Sequence, residues 1–390
     1  MSSRALVVLS LASFASAAAL RAPDPLLPLL AQAFGATAGG ASAVITAFGL
    51  AYGLLQVVNG PIGDRVGKYR MVFWVTAISA AGNLACALAP SLPLLVAARF
   101  ATGATVGAIV PLAMAWIGDT VPYERRQPVL ARFLIGHMFG IALAAMASGW
   151  LGERHGWQAV FQALTGLYVA IAALLGFELR TNPATAQRAG SGPTLRESFL
   201  RMAGLARERW VRVMLATVFL EGALLYGPLA FVAWDAQQRF GLGPGQSGAL
   251  LSAFPLGGLS YALVSGRLLP WLGEGRVAMG GGLLAGLGLL GLAFAPVAAL
   301  AVACVLLVGV GLYMLHNTLQ VHATQMAPEA RGAAVALFAC LLFTGQSLGV
   351  WLAAHAVDGY GALPAYLVSA AGLPLLALWF RHQLAAHRLR

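Results

Sequence analysis

Charge is what this sequence has least of. Asp and Glu number 13 and Lys and Arg 24 in 390 residues, so charged residues make up 9% of the chain, against about 25% in an ordinary soluble domain. So few cannot cover a water-facing surface, which excludes a soluble globular protein. Cysteine is equally scarce. Cys86, Cys304 and Cys340 lie within apolar stretches with neither a disulfide framework nor metal-ligand spacing, and they read as packing residues. No metal and no cofactor are expected. No Ser-His-Asp arrangement stands out, which argues against an enzyme. The net charge of +11 is scattered over short separate segments, without the continuous basic face a phosphate backbone follows, and this excludes nucleic acid as a partner.

What the chain does have is length in apolar runs. Hydrophobic residues make up 59% and the mean hydropathy is +0.80. A helix needs about 20 residues to cross a hydrocarbon core of about 30 Å, so the chain holds roughly twelve spans. The fold class is an all-α polytopic membrane protein with lipids around it. Residues 1–22 imitate a secretory signal, with Arg4 and a small-residue segment at Ser16-Ala17-Ala18-Ala19. Further apolar runs follow, so this stretch is expected to remain as the first helix. Helices are expected over about 5–33, 41–62, 71–89, 94–118, 128–151 and 157–178, then over about 210–234, 247–268, 277–295, 298–324, 333–355 and 361–380. Between the sets, 180–209 is polar and basic, with Arg180, Arg188, Arg196, Arg201, Arg207 and Arg209. An amphipathic helix at about 194–207 would lie on the bilayer surface there. The organisation is therefore a first bundle at 1–179, a linker at 180–209 and a second bundle at 210–390.

Gly60-Pro61-Ile62-Gly63-Asp64-Arg65-Val66-Gly67-Lys68-Tyr69-Arg70 is a charged island between two apolar runs, read as a tight loop at the membrane surface. With Arg125 and Arg126 in a second such loop, the basic bias places these loops and both termini in the cytoplasm. A displacement of 206 residues relates Gln32-Ala33-Phe34-Gly35 to Gln238-Arg239-Phe240-Gly241, Ala47-Phe48 to Ala253-Phe254, Gly60 and Gly67 to Gly266 and Gly273, and Pro122 and Arg125 to Pro328 and Arg331. One displacement acting in four segments marks a repeated six-helix unit. Two such halves around a central cavity are built for alternating access.

Charges inside the spans are the candidate sites, because each is costly unless paired or facing water. Arg21 and Asp24 stand in the first helix among Pro23, Pro25 and Pro28. They are either an internal ion pair serving folding or cavity residues that contact substrate or protons. Glu221 in the seventh helix, close to Tyr226, is either a buried neutral acid or a proton carrier. In the tenth helix His316 and Gln320 share a face with Asn317 beside them, and His322 and Gln325 lie nearer its end. Gln346 is a weaker candidate. Asp235 and Asp358 read as surface charges near loops. Arg99 precedes Gly103 and Gly107, whose four-residue spacing permits close helix approach, and Arg99 is either structural or proton-coupling. Gly136, Gly140, Ala144, Ser148 and Gly149 form a small-residue ladder near His137 in the fifth helix.

These residues resemble the major facilitator superfamily over essentially the whole chain. Gly60, Asp64, Arg65, Gly67, Lys68 and Arg70 look like its signature between helices 2 and 3. Arg99-x-x-x-Gly103-x-x-x-Gly107 is similar to the helix-4 motif of its twelve-helix drug/proton antiporter (efflux) group. Pro122-Tyr123-Glu124-Arg125-Arg126 and Pro328-Glu329-Ala330-Arg331-Gly332 look like its paired loops. The resemblance implies that the signature charges, with Arg125 and Arg331, form a gating loop that contacts the other half and holds an outward-facing state. It implies that helices 1, 4, 7 and 10 line the cavity and that Arg99 takes part in proton transfer. The group's helix-5 signature is not reproduced, since Ala144-Ala145 and Ser148-Gly149 stand at its positions. Pro270 stands where the second half would repeat Asp64.

The expected function is secondary active transport in the inner membrane of a bacterium, as a monomer. The leading form is proton-driven efflux of a small organic compound, cationic or amphiphilic, with Asp24 or Glu221 exchanging protons. The alternatives are uptake or facilitated diffusion of a small metabolite or organic anion drawn by Arg21, and a nontransporting sensor or scaffold.

Overall fold

The computed structural model describes residues 3–185, 194–327 and 330–388, and among these every regular element is helical. Inside a bilayer the backbone has no water to bond, and a helix satisfies its polar groups within one segment. Eleven stretches are long and apolar enough to cross, and a bent pair makes a twelfth. In chain order, spans 1 to 6 are Arg4–Phe34, the pair Ala38–Leu54 with Gln56–Val66, Lys68–Ala87, Leu92–Thr120, Pro128–His155 and Trp157–Thr181. Spans 7 to 12 are Arg209–Phe240, Pro244–Leu272, Glu274–Phe294, Ala298–Gln325, Arg331–Tyr360 and Leu363–Arg388. A short helix, Leu195–Leu205, precedes span 7 and starts with a capping box between Thr194 and Glu197. It lies against spans 2 and 11. Arg188, Pro328 and Glu329, which figured in the sequence reading, lie outside the described residues.

The charged island differs from the expected loop. Helix Gln56–Val66 runs through most of it, helix Lys68–Ala87 begins directly afterwards, and Gly67 alone breaks the chain at φ 96° and ψ 120°. That conformation suits a residue without Cβ. The 52° bend within span 2 falls at Leu55, between the helices that end at Leu54 and begin at Gln56. Positive φ occurs at Gly35, Gly67, Gly156, Gly241, Gly273 and Gly361 and at no other described residue. Gly35 and Gly67 lie 206 residues before Gly241 and Gly273, and Gly156 lies 205 before Gly361, so every such turn has a counterpart.

Packing repeats in the same way. Span 1 packs on span 5 as span 7 does on span 11, span 3 on span 6 as span 9 on span 12, and span 2 on span 4 as span 8 on span 10. The two sets meet through spans 2 and 11 and through spans 5 and 8. Small residues allow this closeness. A Cβ on Gly136 or Gly140 would strike the Ser10 and Phe14 carbonyls of span 1, and one on Gly345 or Gly349 would strike those of Phe219 and Ala223 of span 7. The small-residue ladder is thus a packing surface, and both copies keep it. The free thiols Cys86 and Cys304 are buried, in keeping with packing roles.

Candidate functional site

The prolines of span 1 determine where its charges sit. Helix Ser3–Arg21 stops, a single 3-10 turn covers Asp24–Leu26, and Leu27–Phe34 resumes the helix. Arg21 and Asp24 flank the break, and a guanidinium Nη1 donates to Asp24 Oδ2 at 3.2 Å. Arg21 is 6% exposed and Asp24 fully buried. The Arg21 guanidinium also lies over the Tyr226 ring of span 7, 4.9 Å from its centroid, an attraction that strengthens away from water.

Glu221 is fully buried on span 7. Its Oε2 lies 2.8 Å from Nδ1 of His316 on span 10. Glu221 and His316 are 95 residues apart in sequence, and the fold makes them one acid–base pair. Tyr226 packs near Phe254 and Phe254 near Tyr313, at centroid distances of 6.5 and 6.3 Å. Tyr313 lies three residues before His316, so an aromatic row connects the two charged pairs. In each pair one carboxylate oxygen, Asp24 Oδ1 and Glu221 Oε1, is buried without a hydrogen-bond partner, which costs free energy unless a proton or ligand occupies it in the working cycle. Beside Arg21 a cavity is lined by Ile141, Ala145, Leu229, Leu251, Phe254 and Pro255. Its wall is apolar, its one charge is the guanidinium, and its free volume of about 10 Å³ is room for roughly one water.

Arg99 lies elsewhere. It is fully buried on span 4, where Nε donates to the Val44 carbonyl at 3.3 Å and Nη2 to the Ala19 carbonyl at 3.0 Å. Its guanidinium sits 3.9 Å over the Phe48 ring. Gly103, one turn further on, faces the Phe48 backbone. These contacts tie spans 1, 2 and 4 together, while Arg99 Nη1 is buried without a hydrogen-bond partner.

The other expected site residues are dispersed. Asn317 is half-buried, and Gln320, one turn beyond His316 on the same helix, is exposed. His322 lies 3.2 Å from Glu274 of span 9. Lys68 bridges Asp64, at 3.0 Å, and Asp119, all within spans 2 to 4. Arg65, Arg70, Arg125 and Arg331 are exposed, and Gly60 has open space around it.

Asp235 is a correction. It was read as a surface charge, but span 7 continues to Phe240 and buries it, with Arg239 at 3.0 Å and the Tyr366 hydroxyl at 3.2 Å. The Asp235-x-x-x-Arg239 spacing was the available signal, since residues four apart share a helix face. Asp358 is exposed yet accepts hydrogen bonds from Thr37 and Gly39 across the interface of spans 2 and 11. Buried Glu178, overlooked in the sequence, pairs with Arg4 at 3.4 Å.

Comparison with known proteins supplies the family. The "Major Facilitator Superfamily" model matches residues 9–350 and again 231–386. The uncharacterized MFS-type transporter YwfA of Bacillus subtilis is 25% identical over 69% of this chain and 65% of its own length. The multidrug export protein EmrB of Escherichia coli is 25% identical over 45% of this chain and 35% of its own. The 4-hydroxybenzoate transporter PcaK of Acinetobacter baylyi is 31% identical over 34% and 29%. The chain thus spans less than two thirds of each of these relatives. Among solved structures, the POT family transporter PepTSo superposes with a TM-score of 0.80 at 15% identity, covering 100% of this chain and 99% of that one. The human organic anion transporter MFSD10 gives 0.70 at 18%, covering 97% and 99%. The D-xylose-proton symporter gives 0.75 at 15%, covering 97% and 96%. At these identities the superpositions show a shared fold, and the bacterial relatives with the span count of this chain mark a multi-pass inner-membrane protein. With its family model matched from residue 9 to 350 and again from 231 to 386, this chain belongs to the Major Facilitator Superfamily of membrane transporters.

Proposed function

We propose that the protein is a secondary transporter working by alternating access, which takes up a small organic anion together with a proton. The observation that carries this reading is the buried Glu221–His316 pair, 2.8 Å apart, at one end of an aromatic row whose other end carries Arg21. A carboxylate and an imidazole in contact share one proton with no net charge. A second proton leaves the pair at +1, a charge too costly to keep inside a membrane without a counterion. An anion bound at Arg21 supplies it, so loading one favours loading the other. The residues beside Arg21 are apolar, so a space opened there when the halves move would take a carboxylate on an aromatic or aliphatic body, and the likeness to PcaK and to MFSD10 agrees with that class.

In this reading residues 1–179 and 210–390 are the moving halves and 180–209 joins them. The exposed basic residues Arg65, Arg70, Arg125 and Arg331 mark the cytoplasmic side. The test is transport in proteoliposomes across a panel of radiolabelled aliphatic and aromatic monocarboxylates. Accumulation should follow an imposed inward proton gradient, and flux indifferent to that gradient for every transported compound would defeat the proposal.

A second reading, proton-driven export, is favoured by the similarity to EmrB over 180 residues. It predicts that inverted vesicles accumulate the compound when their interior is acid.

A further inference from the structure

Asp358 and Glu153 occupy corresponding places in the repeat. Asp358 ends span 11, where Oδ1 accepts from the Gly39 amide at 2.8 Å and Oδ2 from the Thr37 hydroxyl at 2.7 Å, at the start of span 2. Glu153 ends span 5, where Oε2 accepts from the Gly245 amide at 2.9 Å, at the start of span 8. The acceptors lie 205 residues apart and the donor glycines 206. The same bond is therefore made twice, once in each of the two interfaces through which the halves meet.

The backbones behind these bonds are already in contact. A Cβ on Gly39 would lie 2.7 Å from the Ala354 carbonyl, and one on Gly149 would collide with the Pro244 carbonyl. At the opposite end of the molecule the charges are held differently. Lys68 binds Asp64 and Asp119 inside one half, and Arg65, Arg70, Arg125 and Arg331 are exposed.

We propose that Glu153 and Asp358 are matched positioning residues, two latches that hold shut the face carrying Gly35, Gly156, Gly241 and Gly361, and that both release when the transporter opens there. A carboxylate holding backbone amides forms charge-assisted hydrogen bonds, stronger than neutral ones. Glycine at the donor position lets the carboxylate approach, since the Asp358 carboxyl occupies the space a Gly39 side chain would need. One latch spans the interface of spans 2 and 11 and the other that of spans 5 and 8, so each controls its own seam. The inference requires two states of the fold and is independent of the coupling ion and the substrate.

Hydrogen exchange on the full-length protein in nanodiscs tests it. Asp358→Ala should speed exchange over residues 35–46 and leave 241–252 near the parent rate, Glu153→Ala should do the reverse, and the double variant should speed both by on the order of tenfold, the weight of a charge-assisted bond. Both carboxylates are exposed, so their loss is compatible with folding. General destabilisation would instead quicken both segments in each single variant, and that result, or no change in either, overturns the proposal.

A second measurement covers the global state. In a background lacking Cys86, Cys304 and Cys340, spin labels at Gln158→Cys and Tyr360→Cys report on the latched face, and labels at Arg70→Cys and Arg276→Cys on the other. The double variant should lengthen the first distance distribution and shorten the second. Distributions unchanged from the parent would reject the latches as determinants of state even if thermal stability fell.

Discussion

Replacing Glu221 with Gln tests the proposed proton step apart from everything else in the site. The side chain keeps its size, and its amide can still accept from His316 across the 2.8 Å contact, so the packing of spans 7 and 10 is retained. What disappears is the acid. The remaining imidazole can still bind a proton, but it has lost the carboxylate that stabilises the charged form. On the proposed reading, one pair with one exchangeable proton couples one proton to each anion. Their charges cancel, so the limiting accumulation ratio equals the proton gradient, about tenfold per pH unit because one unit is worth 1.36 kcal/mol. The assay is uptake into proteoliposomes at an imposed difference of one pH unit, with and without a potassium diffusion potential. The parent should approach that ratio and ignore the potential. Glu221→Gln should equilibrate near a ratio of one while retaining exchange of labelled for unlabelled substrate in counterflow. Concentrative uptake by Glu221→Gln would refute the assignment of the proton to this pair, and a potential-dependent ratio in the parent would refute electroneutral coupling.

Three further outcomes are expected. Asp24→Asn leaves Arg21 buried without its partner and should cost about 3–5 kcal/mol, seen as a lower melting temperature in detergent, whereas Arg21→Met combined with Asp24→Leu should recover much of that loss while abolishing transport. Arg99→Lys cannot reproduce the two-carbonyl fork to Val44 and Ala19, so stability should fall while the pH dependence of uptake by the surviving protein stays unchanged. Gly103→Ala drives a Cβ into the Phe48 backbone and should sharply lower the monodisperse yield in size-exclusion chromatography, whereas Gly60→Ala meets open space within a helix and should be neutral or stabilising by about 0.5–1 kcal/mol.

How much of this was legible in the sequence depends on the length scale of the signal. The spans were legible because hydropathy acts residue by residue, and the repeat because Gly67 and Gly273 share both a register and a need for positive φ. The island around Gly67 was legible as a break but not as a one-residue break, since the Asp64–Lys68 pair lets two helices approach the same glycine. Asp235 was misread because span 7 was ended before it. In the longer helix Arg239 and Tyr366 compensate its burial. Glu221 and His316 were each identified, yet their union was not, because nothing local in either segment specifies which distant span will face it. The bond from Asp358, a surface charge by its place in the sequence, to the start of span 2 was illegible for the same reason. Gln320 keeps the face it shares with His316 along one continuous helix, but it is exposed, which spacing alone could not have specified.

The paired positive-φ glycines carry a last consequence. Asp64 has Pro270 as its counterpart, and Ala15 stands where Glu221 is repeated, so the chemistry of the two halves has drifted far apart. The turns at Gly35, Gly67 and Gly156 have not drifted from those at Gly241, Gly273 and Gly361. Descent from a duplicated unit would leave such a record, with side chains free to place the Glu221–His316 pair in one copy and the Arg21–Asp24 pair in the other while the stereochemistry of the corners stayed fixed. The machine's asymmetry of purpose would then be a late inscription on a symmetric backbone.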